Sequence, residues 1–423
     1  MYFFWILIYN LIALPILVAS AYLFAPVSRK LRRGLRGRRK TIQRVKEFRK
    51  RIGKKSRLYW FHVASLGEYE QTRLIVQALK EISPERVIAV SFFSPSGYEQ
   101  VNDDNIDFKF YLPLDFPWTV RRLLRKLKPA KVIFASYDLW PNLVWAIRAA
   151  KVPATLFAAR IVGNSTKLKP VARSFFRQIY GSVRHIYTVT DDDHDRIKLI
   201  VGNNRKTDIR KLGNPRYDRA KARNSVDQAI FPDGGARVIV LGSMHKEDHE
   251  LIAGPIIELL QADSTLRVLW APHDPDPDII ASIGEDLNSG GIDWETYSHQ
   301  MGRFREKQVL IIDGIGYLAE LYSRGCLAYV GGGFGNSVHN VMEPAVAGIP
   351  VIFGPNFQRS HEAEQLLHEG GAFMTPDREE WRKTLGRMLS DNDARQTAGM
   401  RALKVMENNL GASARILQAI LGR

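Results

Sequence analysis

A run of three glycines, residues 331–333, is the part of this chain best suited to hold a charged ligand. It follows an apolar segment, residues 327–330, and precedes a polar stretch and a second apolar segment, residues 351–353. Glycine lets the backbone approach a ligand closely, and a helix that begins near residues 337–340 would point unpaired N–H groups at an anion. The pattern predicts a phosphate site. One turn further on, Glu343 is placed to accept hydrogen bonds from a ribose diol.

Glu68 is the candidate for acid–base chemistry. It ends the sequence Ser65-Leu66-Gly67-Glu68, which follows the apolar segment 58–63, and a helix is expected from about Tyr69. A carboxylate exposed at a strand-to-helix turn can act as a general base, because flanking apolar residues raise its pKa towards neutrality. The alternative is that Glu68 only complements the positive end of the helix.

Further turns carry polar residues at the predicted ends of strands. Asp138 is placed to orient an acceptor hydroxyl, whereas Trp140 beside it is expected to pack beneath the turn. Gly242 and Ser243 form a second backbone cradle for an anion, although such glycines also serve loop geometry alone. His273, at the end of the next strand, makes either a ligand contact or a loop hydrogen bond.

The acidic run at residues 191–193, followed by His194, has the residue types of a divalent-metal site. It is expected to begin an amphipathic helix, so N-capping and complementarity to the helix dipole explain it, and no metal site is predicted. The sequence also lacks a Walker lysine loop, a His-Glu-x-x-His zinc motif and a Gly-x-Ser-x-Gly nucleophile elbow.

The composition of the 423 residues, 45% hydrophobic and 25% charged, is that of a globular protein with room for two domains. A net charge of +17 would suit nucleic acid, but residues 29–57 hold sixteen basic residues against one acid, a balance of +15. The remainder carries only +2, which argues against a nucleic-acid-binding face elsewhere. The one cysteine, Cys326, excludes an intramolecular disulfide and is expected to be a buried, reduced thiol in a cytosolic environment.

The amino terminus has the length and composition of a membrane anchor. Residues 2–25 are almost wholly apolar, and about 20 apolar residues span a bilayer as a helix. The positive charges follow this segment, which argues against a cleaved signal peptide. By the positive-inside rule the basic run stays cytoplasmic together with the rest of the chain, and an interfacial helix is the alternative. Either form holds the protein on an anionic cytoplasmic leaflet, so a membrane lipid is the expected substrate.

Apolar segments alternate with amphipathic ones from residue 58 onward, which is typical of βαβ units and a parallel sheet. Strands are predicted at residues 58–63, 86–91, 109–112, 131–135, 154–159 and 185–189, and again at 237–241, 267–271, 309–312, 327–330 and 351–353. The expected organisation is an amino-terminal anchor (1–28), a basic juxtamembrane segment (29–57), a first Rossmann-like domain (58–218), a linker (219–235), a second Rossmann-like domain (236–400) and a carboxyl-terminal helix (401–423). Two such α/β domains are expected to face a cleft at the carboxyl ends of their strands.

Several motifs in register resemble those of the 3-deoxy-D-manno-octulosonic acid (Kdo) transferases, which are membrane-associated GT-B glycosyltransferases. They are the anchor with its basic run, the turn at residues 62–68, Asp138-Leu139-Trp140-Pro141-Asn142, Gly213-Asn214-Pro215-Arg216-Tyr217-Asp218, Gly242-Ser243-Met244-His245 and His339-Asn340-Val341-Met342-Glu343-Pro344. The resemblance covers nearly the whole chain. It implies a GT-B fold in which the first domain takes the lipid acceptor and the second holds CMP-Kdo.

The resemblance also implies site residues and a reaction. The catalytic glutamate corresponds to Glu68, and the acceptor side includes Ser65, Gly67, Asp138 and Asn142. The implied nucleotide-binding residues are Gly242, Ser243, His273, Gly331, Gly332, Gly333, Asn336, Asn340 and Glu343. The implied reaction is an inverting transfer of Kdo from CMP-Kdo to a lipid A precursor of the lipid IVA type, on the cytoplasmic face of the inner membrane. No metal, no cofactor beyond the donor substrate and no nucleic-acid partner are expected.

Three positions depart from the family pattern. Asp138 stands where a glutamate is usual, and Arg216 where a lysine is usual; both changes keep the charge, although Arg and Lys differ in geometry. Pro272-His273-Asp274-Pro275 replaces a commoner Pro-Arg-His-Pro. An arginine contact to the nucleotide is therefore missing or is supplied from elsewhere.

Two other functions fit parts of the sequence. A GT-B enzyme that uses a UDP- or ADP-sugar on a membrane lipid would share the glycine turns and Glu343, because these features do not specify the base. A membrane-tethered adaptor without catalysis would use residues 29–57 to bind lipid or nucleic acid. The near-neutral remainder of the chain, and the location of Glu68, Gly242 and Glu343 at predicted strand ends, weigh against an adaptor.

Overall fold

The computed structural model describes residues 1–53, 56–204, 206–224, 237–299 and 307–422. The chain divides into two compact units, one formed by Met1–Arg219 with Gly411–Arg423 and the other by Ala220–Leu410. Most of the linker expected at residues 219–235 lies outside the described residues, which stop at residue 224 and resume at residue 237.

A seven-stranded parallel sheet forms the centre of the first unit. Its strands are β1 (Leu58–Val63), β2 (Val87–Phe92), β3 (Phe108–Tyr111), β4 (Lys131–Ala135), β5 (Ala154–Ala159), β6 (His185–Thr188) and β7 (Asp208–Lys211). They lie in the order β3-β2-β1-β4-β5-β6-β7. Strand β1, the third in this order, is buried along its whole length, as expected for a parallel strand that is covered on both faces.

Helices connect these strands and precede them. They are α1 (Tyr2–Ile8), α2 (Leu14–Phe24), α3 (Arg29–Arg38), α4 (Thr41–Ile52), α5 (Leu66–Ile82), α6 (Pro95–Gln100), α7 (Pro117–Leu127), α8 (Pro141–Ala149), α9 (Pro170–Tyr180) and α10 (Asp191–Val201). The helix α11 (Pro215–Asn224) follows β7 and contains the boundary between the two units, so that its last five residues belong to the second. A π-helical turn, Tyr9–Ala13, joins α1 to α2, so that Tyr2–Phe24 forms one apolar helix long enough to cross a membrane. A 3-10 turn, Thr166–Leu168, precedes α9.

The basic run is helical and packed against the sheet. Val45 and Phe48 of α4 are buried, and Phe48 stacks on Phe108 of β3 with ring centroids 4.3 Å apart. Arg38 of α3 donates a hydrogen bond to the carbonyl of Phe93 at 2.5 Å. Most of the other cationic side chains of α3 and α4 are exposed, so these helices present positive charge to solvent while their apolar faces hold them on the unit.

The second unit contains another seven-stranded parallel sheet, in the order β10-β11-β9-β8-β12-β13-β14. Its strands are β8 (Arg237–Met244), β9 (Leu266–Pro272), β10 (Trp294–Thr296), β11 (Val309–Ile311), β12 (Leu327–Val330), β13 (Val351–Phe353) and β14 (Ala372–Met374). Its helices are α12 (Lys246–Ala262), α13 (Pro277–Ser289), α14 (Leu318–Leu321), α15 (Met342–Val346), α16 (His361–His368), α17 (Arg378–Ser390) and α18 (Asn392–Asn408), with 3-10 turns at Tyr297–His299 and Tyr322–Arg324. A last helix, α19 (Ala412–Leu421), belongs to the first unit.

The predicted α/β architecture is confirmed, and the predicted strands are present within a few residues. Sequence analysis missed β7, β10 and β14, each of which lies at an edge of its sheet. None of the three is fully buried. An edge strand has a neighbour on one side only and needs no continuous apolar run, so it leaves a weak signal in the sequence.

Two predicted helix starts are wrong. The helix expected near residues 337–340 begins at Met342 and is five residues long. The backbone before it is bonded to other loops instead, because the His339 N–H donates to the Gly331 carbonyl and the Val338 N–H to that of Asn356. The helix expected from Tyr69 begins at Leu66, which puts Glu68 in its first turn.

Candidate active site

Glu68 lies in the first turn of α5, just beyond the carboxyl end of β1, and is 6% exposed. Its Oε2 accepts a hydrogen bond of 2.5 Å from the Ala64 N–H. Burial raises the pKa of Glu68 to about 7; the Ala64 N–H opposes the rise, the charge of Asp138 adds to it, and His62 opposes it. A carboxyl group with such a pKa can accept and release a proton near neutrality.

His62 and Asp138 form a pair that acts on Glu68. His62, the fifth residue of β1, is fully buried, and its Nε2 lies 2.9 Å from Asp138 Oδ2 in the loop after β4. On its other side, His62 Nδ1 lies 2.8 Å from the hydroxyl of Ser91 in β2. Three neighbouring strands thus hold the imidazole and orient the Asp138 carboxylate.

The other acceptor-side candidates differ in how they are held. Ser65 is the N-cap residue of α5, and a Cβ at Gly67 would have no neighbour within 4 Å, so packing does not account for this glycine. Asn142 is buried, and its N–H donates to Asp115 Oδ2 at 2.9 Å. Its Nδ2 donates to the Asp115 carbonyl at 2.6 Å and to Asn10 Oδ1 at 2.8 Å. The hydrogen bonds of Asn142 therefore serve the scaffold.

The amino-terminal helix packs on the first unit through polar side chains. The Tyr9 hydroxyl donates to Asp115 at 2.9 Å, and Asn10 Nδ2 donates to Asn142 Oδ1 at 3.1 Å. Other large apolar side chains of this helix are exposed, among them Phe3, Phe4, Leu7, Leu11, Ile12 and Ile16. One face of the helix is bound to the unit, and an apolar surface remains available.

An apolar groove of about 390 Å³ lies between α2, α3 and the loops that follow β1 to β4. The helices contribute apolar residues such as Leu14, Leu17 and Ala21, and the loop after β1 contributes Ala64 and Ser65. Its volume lies within the range of about 300–1,000 Å³ that is typical of ligand pockets. The groove thus reaches the segment that leads into the Glu68 turn.

In the second unit, the loops after three neighbouring strands bring three histidines together. His245 follows β8, His273 follows β9, and His339 lies in the loop after β12. The Nε2 atoms of His245 and His339 are 2.6 Å apart, and the His273 ring stacks on both with centroid distances of 4.3 and 4.4 Å. Burial and the neighbouring imidazoles lower the pKa of His339 to about 4; burial and His245 also lower the pKa of His273. Sequence analysis assigns a site role to His273 alone, although a histidine just beyond a strand end was a usable signal for His245 as well.

The glycine turn at residues 331–333 is shaped by Asp248 of α12. The Gly332 N–H donates to Asp248 Oδ2 at 2.8 Å, and the Tyr329 hydroxyl donates to its Oδ1 at 2.6 Å. Gly332 has a φ of +87°, which favours glycine, and a Cβ at Gly331 or Gly333 would lie 2.3 or 2.6 Å from neighbouring backbone atoms. Packing of the loops accounts for all three glycines, and the N–H of Gly332 is used within the protein.

Gly242 and Ser243 lie at the carboxyl end of β8. A Cβ at Gly242 would lie 1.9 Å from the Tyr322 hydroxyl, so internal packing requires this glycine. Ser243 has a φ of +54°, in the left-handed region. The bend at this position turns the chain into the loop that carries His245.

The remaining nucleotide-side candidates lie around α15. Glu343 is 9% exposed and pairs with Arg223, whose Nη1 is 2.8 Å from its Oε1. Asn340 Oδ1 accepts a hydrogen bond from the Met342 N–H at 3.2 Å, and Asn336 is exposed in the glycine turn. The Glu343 carboxylate is thus partly neutralised by a cation of its own unit.

Comparisons with known proteins decide the family. Residues 39–219 match the family model described as 3-Deoxy-D-manno-octulosonic-acid transferase (kdotransferase). The 3-deoxy-D-manno-octulosonic acid transferase of Chlamydophila psittaci is 30% identical over 334 residues, which cover 74% of this chain and 72% of that protein. The chain belongs to the 3-deoxy-D-manno-octulosonic acid transferase family. It is a glycosyltransferase, and its function is Kdo transfer in lipopolysaccharide synthesis.

Other comparisons agree with this assignment. The 3-deoxy-D-manno-octulosonic acid transferase of Aquifex aeolicus is 29% identical over 317 residues, which cover 74% of this chain and 80% of that protein. Among solved structures, a UDP-N-acetylglucosamine 2-epimerase has a TM-score of 0.60 at 15% identity, over 87% of this chain and 96% of its own. Acinetobacter baumannii MurG has a TM-score of 0.54 at 12% identity, over 87% of this chain and 100% of its own. At these identities the two structures bear on the fold alone, which is of the GT-B type.

The acidic run of this Kdo transferase has the capping role that the sequence predicts. The Thr190 side chain accepts a hydrogen bond from the Asp193 N–H at 3.1 Å, and Asp193 Oδ2 accepts from the Thr190 N–H at 3.3 Å. Asp192 pairs with Arg196 and Asp191 with Lys211. These partners explain why three carboxylates begin α10.

Proposed function

We propose that this family member transfers Kdo from CMP-Kdo to a lipid A precursor of the lipid IVA type, with inversion at the anomeric carbon and without a metal. The observation that carries the proposal is Glu68, a buried carboxyl group with a pKa of about 7 just beyond the carboxyl end of β1. In the ionised form, Glu68 removes the proton from the acceptor hydroxyl as its oxygen attacks the anomeric carbon. The bond from that carbon to the CMP phosphate oxygen breaks, and its electron pair leaves with CMP.

The His62–Asp138 pair adjusts the base. The negative charge of Asp138 makes Glu68 a stronger base, and His62 lowers the same pKa and holds Asp138 by a hydrogen bond of 2.9 Å. Asp138 thereby takes the position in which relatives of this family usually have a glutamate, with a shorter side chain held by a buried imidazole. We assign it the role of positioning the acceptor hydroxyl beside Glu68.

The groove between α2, α3 and the Glu68 turn supports a lipid acceptor. Its walls are mainly apolar, as an acyl chain requires, and Ala64 and Ser65 line it just before the helix that carries Glu68. Arg38 also lines it; burial lowers the Arg38 pKa to about 10, so the guanidinium stays charged at neutral pH and suits a lipid phosphate. An acyl chain in the groove would hold the sugar of the same lipid near the base.

The amino-terminal helix supports a location at the cytoplasmic face of the inner membrane. Tyr9 and Asn10 of this helix are hydrogen-bonded to the unit. A helix held in this way cannot at the same time place these two residues in the hydrocarbon core of a bilayer. We therefore favour an interfacial helix, with its exposed apolar side chains in the membrane and the exposed cations of α3 and α4 at the headgroups.

The test is a transfer assay with the full chain in detergent, CMP-Kdo and lipid IVA, read by mass spectrometry of the lipid. Glu68→Gln should lower kcat by about 10²–10⁴-fold, the usual contribution of a general base. Glu81→Gln is the matched control, because Glu81 lies on the same helix, is exposed and bonds only to Gln77 among the hydrogen bonds described for it. Near-normal turnover of Glu68→Gln would refute the assigned base, and absence of a Kdo-bearing product would refute the proposed substrates. Inversion is checked by the anomeric configuration of the product in an NMR spectrum.

A further inference from the structure

The three histidines of the second unit, His245, His273 and His339, form one cluster of imidazole rings. The segment that carries His273, Pro272-His273-Asp274-Pro275, contains no lysine or arginine, so it offers no permanent cation. In its place an imidazole stacks on two others that come from neighbouring loops.

The arrangement of His245 and His339 is that of a hydrogen bond. Their rings lie within 5° of parallel, with centroids 4.9 Å and Nε2 atoms 2.6 Å apart. The centroid distance exceeds the nitrogen distance by about two ring radii, so the nitrogens face each other along one line. One Nε2 then carries a proton and the other accepts it.

A metal ion does not fit between these two nitrogens. Zn–N bonds are about 2.0–2.1 Å long and zinc sites are tetrahedral, so two nitrogens that bind one ion lie about 3.3 Å apart, farther than the 2.6 Å between these two. The His273 ring is stacked over the pair instead of directing a nitrogen at a common centre. The ligand atoms are close enough for a metal site, within 4.8 Å of one another, but the orientation of the rings favours proton sharing.

We propose that His245, His273 and His339 form the receptor for the donor phosphate, and that the positive charge of this receptor is a proton taken up when the phosphate binds. The inference rests on the proposed function, because the second unit must hold the nucleotide of the donor. Three adjacent imidazoles disfavour one another's charge, whereas an anion at hydrogen-bond distance favours the imidazolium. The cluster thereby becomes positively charged only when the phosphate binds, whereas an arginine is always charged.

The charged residues near the three histidines do not prevent this uptake of a proton. Lys246, Glu247 and Asp248 follow His245 in the sequence, and Asp274 and Asp276 follow His273. Arg359 lies three residues beyond Asn356, whose backbone bonds to the loop that carries His339. Asp248 favours the charged form of His339, and Asp274 that of His273, but burial outweighs both. Asp248 is itself occupied by Gly332 and Tyr329, so it does not bind the imidazole proton directly.

The sign of the linkage follows from the direction of the change. If the pKa of the cluster is higher in the complex than in the free protein, the complex holds more protons and affinity rises as the pH falls. Uptake of one proton corresponds to up to about a tenfold change in affinity per pH unit between the free and bound pKa values.

The experiment is calorimetry on the full chain with the phosphate methyl ester of CMP as the probe. A phosphate diester keeps one charge across neutral pH, whereas CMP itself titrates near pH 6. Measurements between about pH 6 and about pH 8, in two buffers of different ionisation enthalpy, give the affinity and the number of protons bound. We expect uptake of about one proton on binding, and an affinity that falls by up to about tenfold for each unit by which the pH rises. Cytidine, which lacks the phosphate, should bind without proton uptake.

Two variants give the decisive comparison. His273→Arg should bind the ester more tightly at about pH 8 and should abolish most of the proton uptake, because the cation is then permanent. His249→Asn is the matched control, since His249 lies on α12, one turn beyond His245, and its Nε2 bonds to Asp286; it should keep the proton uptake.

Each other outcome overturns the inference. Tight binding that is independent of pH, or unchanged proton uptake in His273→Arg, would refute the histidine receptor while leaving Kdo transfer intact. Absence of binding at every pH would refute the assigned donor site, and absence of Kdo transfer in the separate assay would mean that the proposed function fails as well. Binding of Zn²⁺ that His273→Ala removes, with ester affinity dependent on that ion, would replace the proton with a metal.

Discussion

Lowering the pH from about 8 to about 6 should slow Kdo transfer about tenfold, because the base that we propose, Glu68, must be ionised to take the proton of the acceptor hydroxyl. Burial raises the pKa of Glu68 to about 7. A group with that pKa is about nine-tenths ionised at pH 8 and about one-tenth ionised at pH 6. A glutamate with the ordinary pKa of 4.5 would be almost fully ionised at both, and its rate would not change.

The same pKa shift gives the free-energy cost of ionising Glu68 in the folded protein. A rise from 4.5 to about 7 corresponds to about 3 kcal/mol against the charged form. Desolvation is the largest cause, and repulsion by Asp138 adds to it. Asp138→Asn should therefore move the midpoint of the rate profile to lower pH, while Asp104→Asn, at an exposed carboxylate of the same unit, should leave it unchanged.

The assay is the initial rate of Kdo transfer at low acceptor concentration, so that kcat/KM reports the ionisation of the free enzyme. Rates are measured from about pH 5.5 to about pH 8.5 for the unmodified chain and the two variants. A flat profile between pH 6 and pH 8 would refute the reasoning. So would the same midpoint in the residual activity of Glu68→Gln, because another group would then control the rate.

Three further results are expected. Glu68→Gln should raise the unfolding temperature at about pH 8 but change it little at about pH 5. The pKa of Glu68 is higher in the folded state than in the unfolded state, so the free energy of unfolding falls as the pH rises from 4.5 to about 7, by about 3 kcal/mol in all. An equal effect at both pH values would contradict this. Ala21→Trp should fill the groove between α2 and α3, the site that we propose for an acyl chain, and should raise KM for lipid IVA more than for its deacylated form. Ala19→Trp, at an exposed position outside the groove, should do neither, and equal changes for both acceptors would argue against an acyl site. Gly242→Ala should lower the unfolding temperature of the second unit, because the new methyl group would meet the Tyr322 hydroxyl. Adding Tyr322→Phe should restore part of the loss. An unchanged unfolding temperature in calorimetry would show that the loop relaxes freely.

The candidate site could be predicted from the sequence where its residues lie at the ends of buried strands. Glu68 follows β1, whose six residues are all buried, and Gly242 and Ser243 lie at the end of β8. Continuous apolar runs of this length indicate central parallel strands, and the carboxyl ends of such strands carry ligand sites. The same reasoning failed at the sheet edges and at residues 337–340, where loop-to-loop hydrogen bonds replace the expected helix.

Roles within the site required distances that a linear pattern does not contain. Asn142 is predicted to lie on the acceptor side, and only the structure shows that its hydrogen bonds go to Asp115 and to Asn10, the latter 132 residues away in sequence. His62 was part of a motif without a role until its contact with Asp138, 76 residues away, was known. Residue types can suggest such pairs, but only the fold sets the separation of their atoms.

The sequence by itself determined the two α/β halves, the apolar and basic amino terminus, and the motifs that identify a Kdo transferase, because burial, helix periodicity and local turns leave their record in neighbouring residues. The tertiary structure alone decided which groups share a proton. The pKa of Glu68, about 7, results from burial and from the charge of Asp138 in another loop. The contact between His245 and His339 joins residues 94 positions apart. Electrostatic interaction and desolvation depend on distance in space, so these properties come from the way the strands bring the loops together and not from the order of the residues.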